Sequence, residues 1–294
     1  MNRRRLNILG LLPSQLLMVL TVMVPIVIVV IVAFSTRGAY GGFEYTLSFA
    51  SFQRLLFLEG WSGEMEFNPQ YLQIIGRSIA LAFLTMVICM VISFPAAYAI
   101  ARQSGRTKTV LLFLVTLPFW TSMIVRVYAW MSILSRNGVI DTVLQGLGLS
   151  DGGQGLLFTN GAMLIGMVYS YVPLMILPVF ASIEKLDGAL IEASHDLYAS
   201  RLRTLFKVIV PLTWPGMAAG AVLVFVPSLG AVLEPTLLGG GRKLMMGNLI
   251  MNQFGPDRNW PFGATVALVL MGLVMLVLLL QALRARRIDQ GETA

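Results

Sequence analysis

The chain has 294 residues, 57% of them hydrophobic and only 12% charged, with a net charge of +7. A soluble domain carries about 25% charged residues, so the composition belongs to the membrane class. The basic excess sits at the ends of apolar runs, where it reads as a topology signal rather than a nucleic-acid footprint. The single cysteine, Cys89, excludes an internal disulfide and a cysteine-based metal site.

The basic start MNRRR leads into an apolar run whose 19 residues from Leu16 to Phe34 exceed the roughly 7–15 of a signal peptide's apolar region. No small-residue cleavage site follows, so an uncleaved transmembrane helix is expected. Spanning a bilayer takes about 20 apolar residues, and six segments qualify: 13–34, 71–101, 109–133, 157–181, 208–232 and 261–283. Residues 35–70 leave room for a short lid or interfacial helix, and 102–108 form a short basic turn. An all-α membrane protein with six transmembrane helices follows. Its expected parts are residues 1–70 (N-terminal segment, first helix and external loop), a five-helix core over 71–284, and a tail over 285–294.

Arg3, Arg4, Arg5, Arg102, Arg106, Lys108, Lys185, Arg201, Arg203, Lys207, Arg284, Arg286 and Arg287 fall on one side, 13 of the 21 basic residues. The other side holds eight, matched by the acids Glu44, Glu59, Glu64, Glu66, Asp141, Asp151, Glu234 and Asp257. The asymmetry makes both termini and the loop between the fourth and fifth helices cytoplasmic.

That loop, IEASHDLYASRLRTLFKVIVPLTWPG over 191–216, is charged and lies between apolar runs. Leu186, Leu190, Ala193 and Leu197 are spaced as one helical face, with Asp187 placed to cap it. A second segment carries Leu202, Leu205, Phe206 and Ile209 on one side, with Ser200 as its cap. Pro211 is expected to end or kink it. Two short amphipathic helices result, either lying among headgroups or docking a partner.

The pattern Glu192-Ala193-Ser194, Leu197, Ile209, Pro211 and Pro215-Gly216 resembles the "EAA…G…I.LP" loop of the membrane subunits of binding-protein-dependent ABC importers. The resemblance implies a type I ABC importer permease fold in the bacterial inner membrane, with coupling helices at 184–210 seated on a cytoplasmic ATPase dimer. It makes Glu192, Ala193, Ser194, Asp196, Leu197, Tyr198, Ile209 and Pro211 the coupling residues. The family's glycine, six residues after the glutamate, is Tyr198 here, and its third motif residue, alanine, is Ser194. A tyrosine forced to positive φ costs about 1–2 kcal/mol, so a right-handed or displaced turn is expected. Residues 117–140 and 224–264 are similar to the spermidine/putrescine-type "B" permeases. That branch implies a second related permease subunit, a periplasmic solute-binding protein and an amine-type solute. Its usual acid directly after Ser-Leu-Gly is Ala231 here; Glu234 follows three residues on.

Glu234 is a candidate pathway carboxylate, since charges near apolar helices face cavities or partners unless they flank a helix end. Trp120, Tyr128 and Trp130 supply aromatic faces for a cation or interface anchors. Arg126, inside the apolar stretch, is expected to pair with Glu234 or Asp141 or to reach the interface; with an anionic solute it becomes the leading contact. Asp257 and Trp260 are weaker candidates of the same kind. Gly216 and Gly220 form a small-xxx-small pattern for close helix packing. His195 reads as a surface residue. No catalytic set, metal site or G-x-x-x-x-G-K-[ST] motif is present, so no cofactor is expected in this chain and ATP-Mg belongs to the ATPase. The readings left open are an ATP-driven permease for a polyamine, the same class with an anionic or opine-like solute, and an ion-coupled secondary transporter.

Overall fold

The computed structural model describes residues 3–59, 65–148 and 155–291, with side chains from Ser14 to Leu283 except Glu59. Arg3, Arg4, Arg5, Arg284, Arg286, Arg287, Glu59, Glu64 and Asp151, which entered the charge count, therefore lie outside the described side chains, as does the end of the 285–294 tail. The described chain is mostly helical. Among the described residues five helices are long and apolar enough to cross a membrane, six if a bent helix pair counts as one span.

One compact unit comprises Met1–Gln73 with Leu249–Leu273. Its first helix, α1 (Arg3–Ala33), is apolar on every side from Ser14 onward and mostly uncovered there, as suits a surface solvated by lipid. In its described residues, the segment with room for a short lid or interfacial helix forms two short antiparallel ribbons around one helical turn. These are β1 (Thr36–Arg37) with β2 (Phe43–Glu44), α2 (Ala50–Gln53), and β3 (Phe57–Glu59) with β4 (Met65–Phe67). Hydrophobic runs there are too short to make a helical stripe. Val32, Ala33 and Ala264 are the core of this unit, with Phe43 and Phe52 against them. The Arg37 guanidinium donates to the Asp257 carbonyl at 2.9 Å, and Arg54 lies 5.2 Å over the Phe262 ring.

The second unit comprises Ile74–Asn248 with Val274–Ala294. It contains most of α3 (Gln70–Ala101), then α4 (Gly105–Thr116), α5 (Met123–Leu134), α6 (Val139–Gly146), α7 (Asn160–Glu184), α8 (Gly188–Asp196), α9 (Arg201–Thr204), α10 (Val210–Leu229) and α11 (Leu233–Leu237). Two more helices, α12 (Met246–Phe254) and α13 (Trp260–Gly291), complete the chain. Met163, Met167, Met175 and Val179 make α7 the centre of this core. Several buried hydroxyl groups find backbone partners, as an apolar medium demands. Thr85 donates to the Leu81 carbonyl at 2.8 Å, while Ser78 donates to Ile74 and receives the Met246 N–H, both at 2.9 Å.

The third predicted span is not one helix. After α4, Leu117–Trp120 tightens to a 3-10 turn, Thr121 and Ser122 are extended, and the chain re-enters as α5 and α6 with a 91° bend. Pro118 brings no N–H, and the Thr121 hydroxyl donates to the Pro118 carbonyl, competing with helical bonding. The apolar run hid this break because hydropathy does not register backbone donors.

The expected glycine packing is present. A Cβ on Gly216 would lie 2.3 Å from the Ser182 Cβ and 2.7 Å from the Pro178 carbonyl oxygen, and one on Gly220 would lie 2.6 Å from the Met175 sulfur. Glycine is what lets α10 lie directly on α7.

Candidate functional site

Residues 184–210 fold as two short helices joined by a tight turn. Asp187 caps α8 as expected, its carboxylate accepting the Ala189 N–H at 3.0 Å, and Ser200 caps α9 by accepting the Arg203 N–H at 3.4 Å. At the end of α8 the Tyr198 N–H donates to the His195 carbonyl at 2.9 Å and the Ala199 N–H to the Ser194 carbonyl at 3.0 Å. This pair of bonds defines a Schellman ending, which requires a left-handed residue between its donors. Tyr198 has φ +55°. The expectation of a right-handed or displaced turn is thus overturned: two bonds to otherwise orphaned carbonyls outweigh a strain of about 1–2 kcal/mol.

Pro211 does not end the helix either. Helix continues from Arg201 to Leu229 through a wide π turn at Leu205–Ile209. The proline ring crowds the Lys207 carbonyl and supplies no N–H, and the wider turn absorbs both effects. α9 is therefore continuous with α10.

Ser194 and Thr204 are buried, with hydroxyl oxygens 2.9 Å apart. Ser194 donates to the Ile191 carbonyl at 2.7 Å, so its single proton is committed and Thr204 donates to it. This latch ties α8 to the helix that becomes α10 and accounts for serine in place of the family's alanine. The predicted stripe of Leu186, Leu190, Ala193 and Leu197 is largely not the buried face; Leu190, Ala193 and Leu197 are exposed. Leu197, Tyr198, Leu202 and Phe206 are 82%, 97%, 69% and 67% exposed. The same loop carries exposed Glu192, Asp196, Arg201, Arg203 and Lys207, while Ile209 is buried and Pro211 exposed. His195 is exposed, as expected. Lys108 pairs with Glu184 at 2.9 Å, which puts the 102–108 turn and this loop at the same end of the unit.

A second constellation lies in the interior. Glu234, on α11, is completely buried, and neither carboxylate oxygen has a hydrogen-bond partner. The short helix α11 packs against α5 and α7. From α7 come the buried Ser170 and Tyr171; the Ser170 hydroxyl is a polar neighbour of the carboxylate without forming a hydrogen bond by geometry. From α5 comes Arg126, within electrostatic reach of both Glu234 and Tyr171. Its Nε and one terminal nitrogen are also buried without hydrogen-bond partners. The expected Arg126–Glu234 association is thus one of proximity, not of a closed ion pair. Asp141 is buried at the start of α6, where it accepts the Asn137 N–H at 3.0 Å and the Gln145 amide at 3.1 Å.

Of the other predicted pathway residues, Trp120 ends the 3-10 turn and Tyr128 and Trp130 lie on α5. Trp120 and Tyr128 are 79% and 51% exposed, while Trp130 is half-buried and meets Tyr169 edge-on at 5.5 Å. Asp257 and Trp260 belong to the other unit. There Asp257 is exposed and accepts from Gln253, and Trp260 stacks with Phe43 at 6.0 Å. Ser170, Tyr171 and Thr204 were not anticipated. The first two carried a signal, a polar pair within the apolar run MVYSYVPL; Thr204 carried none, because its partner is ten residues away across a turn.

Residues 92–290 match the family described as "Binding-protein-dependent transport system inner membrane component". The chain is 36% identical over 259 residues to the spermidine/putrescine transport system permease protein PotB of Haemophilus influenzae, covering 87% of each. It is 36% identical over 263 residues to PotB of Escherichia coli, covering 88% of this chain and 92% of the relative. In fold it is similar to a chain of the bacterial alginate ABC transporter in complex with alginate pentasaccharide-bound periplasmic protein. That likeness has a TM-score of 0.76 and 16% identity over 97% of this chain and 96% of the other.

Proposed function

The chain belongs to the family of binding-protein-dependent transport system inner membrane components, and from that premise we propose that it forms part of an ATP-driven pathway importing a small amine. It is a multi-pass inner-membrane permease subunit of an ABC importer. Its termini and the 184–210 loop face the cytoplasm, where the loop docks on an ATPase dimer that binds and hydrolyses ATP. A second related permease subunit completes the pathway, and a periplasmic binding protein delivers the solute.

The observation that carries this reading is the loop's construction: an exposed apolar patch with a charged rim, latched by Ser194 and Thr204 to a helix continuous into the membrane. Closure of the ATPase dimer displaces the patch. The displacement travels along 201–229 and, through the Gly216 and Gly220 contacts, to α7 and the interior groups beside it.

The two relatives are named for spermidine and putrescine, and a polyamine is the solute we assign. Glu234 supplies the carboxylate that an ammonium group would seek, with Arg126, Trp120, Tyr128, Trp130, Asp257 and Trp260 as further pathway candidates. The partnerless nitrogens of Arg126 favour a second reading, a solute bearing an anionic group in the opine manner. Competition of labelled spermidine uptake by amines and by amino-carboxylates decides between them.

Glu192→Lys is expected to lower recovery of the ATPase from detergent about tenfold, the scale of a reversed rim charge. Glu192 is exposed, so membrane insertion and thermal midpoint stay unchanged. Unaltered recovery and transport would remove the docking role. Glu234→Gln is expected to slow uptake of a cationic amine into proteoliposomes about tenfold, as loss of a charged partner does; normal uptake kinetics would take Glu234 out of the pathway.

A further inference from the structure

Tyr198 combines two features that oppose ordinary folding economy. It occupies a left-handed backbone position, φ +55°, that glycine takes without strain. Its ring is also 97% exposed and contacts nothing within the chain that would repay the strain. An exposed aromatic ring at a strained position signals a use outside the chain. The surroundings specify that use. Leu197, Leu202 and Phe206 are exposed apolar residues of the same loop, and Glu192, Asp196, Arg201, Arg203 and Lys207 are exposed charges of both signs beside them in sequence. Aromatic anchor, apolar surround and mixed-charge rim form the anatomy of a protein-docking spot, not of a lipid-facing surface. A headgroup-facing helix would instead carry a one-sided basic rim.

We infer that Tyr198 is a partner-selecting knob: it inserts into an apolar recess on the cognate ATPase, a recess that glycine at this position would leave unfilled. The inference rests on the reading of 184–210 as the ATPase-docking loop. It goes beyond that reading in assigning pairing specificity to one residue at which this chain departs from the family pattern. The structural and docking roles of Tyr198 also predict opposite signs on substitution. If the ring served the fold, removing it would destabilise the chain; on the docking role, glycine relieves the backbone and removes only the anchor.

The test uses the full-length permease, co-expressed with its second subunit and reconstituted in nanodiscs. It is titrated with two purified ATPases: its own, and one from a transporter whose permease has glycine at this position. Tyr198→Gly is expected to raise or leave unchanged the thermal midpoint, to weaken binding of its own ATPase at least about tenfold, and to bind the glycine-type ATPase no worse than the parent does. Tyr198→Phe is expected to stay within about threefold of the parent, because the ring, not the hydroxyl, fills the recess. A lowered midpoint for Tyr198→Gly, binding of its own ATPase within about twofold of the parent, or a Tyr198→Phe loss equal to that of glycine would each overturn the inference. Glu192→Lys run alongside separates the two levels. If it loses the ATPase while Tyr198→Gly does not, only the specificity role fails; if neither loses it, the docking reading fails as well.

Discussion

Gly216→Leu is expected to leave little folded permease. The Cβ alone would approach the Ser182 Cβ to 2.3 Å and the Pro178 carbonyl oxygen to 2.7 Å, and the second of these is backbone, which cannot rotate away. The remaining leucine atoms extend further into the same crossing, so α10 must withdraw from α7 along its length. Overpacking of a core costs about 1–3 kcal/mol when side chains can adjust, and more when they cannot; here about 3 kcal/mol or more is expected. The buried residues Met217, Ala221 and Val224 on α10 would separate from Met175 and Val179 on α7. Gly76→Leu, on α3 where an added Cβ meets nothing within 4 Å, is the control and is expected to be tolerated. Thermal midpoints and yields of monodisperse protein in detergent measure both. Equal behaviour of the two variants would show that the α7–α10 contact can slide, and would remove the route by which loop motion reaches α7.

What the sequence disclosed and what it concealed divide along physical lines. Five of the six spans end close to where hydropathy places them, because lipid length and apolar content set those limits alike. The caps at Asp187 and Ser200 were legible because a capping side chain acts on its own neighbours. The break at Thr121–Ser122 was not, since an apolar average is blind to one missing N–H. Tyr198 was misread for a different reason. Intrinsic preference disfavours a left-handed tyrosine, and only the hydrogen bonds of Ala199 and Tyr198 back into α8 reverse that preference. Glu234 stands beside a proline after an apolar run, a pattern that fits an exposed flank and a buried interior equally well. Its burial depends on α5 and α7, which are distant in sequence.

That burial sets up the other large effect, expected for Arg126→Met. In the parent, Glu234 is sealed from solvent with two partnerless oxygens, and Arg126 is the positive charge within reach. Removing the guanidinium while keeping the carboxyl takes the nearby positive charge from a buried, partnerless acid, a change expected to cost about 1–3 kcal/mol, the range for a buried polar group left unsatisfied. Methionine fills much of the arginine stem's volume, so the loss is electrostatic rather than one of packing. Adding Glu234→Gln to Arg126→Met deletes both charges together, and the double variant is expected to recover most of the lost stability. A thermodynamic cycle over the four proteins should therefore return a coupling of about 1 kcal/mol or more, within what neighbouring residues show. Thermal unfolding in one detergent supplies the four values. Additive losses would mean that Arg126 and Glu234 serve separate structural ends. A large coupling joined to normal transport by the double variant would assign the pair to holding α11 between α5 and α7, and would leave recognition of the solute's charge to other side chains. A large coupling with uptake abolished in the double variant would instead make one pair of charges serve both the fold and the pathway.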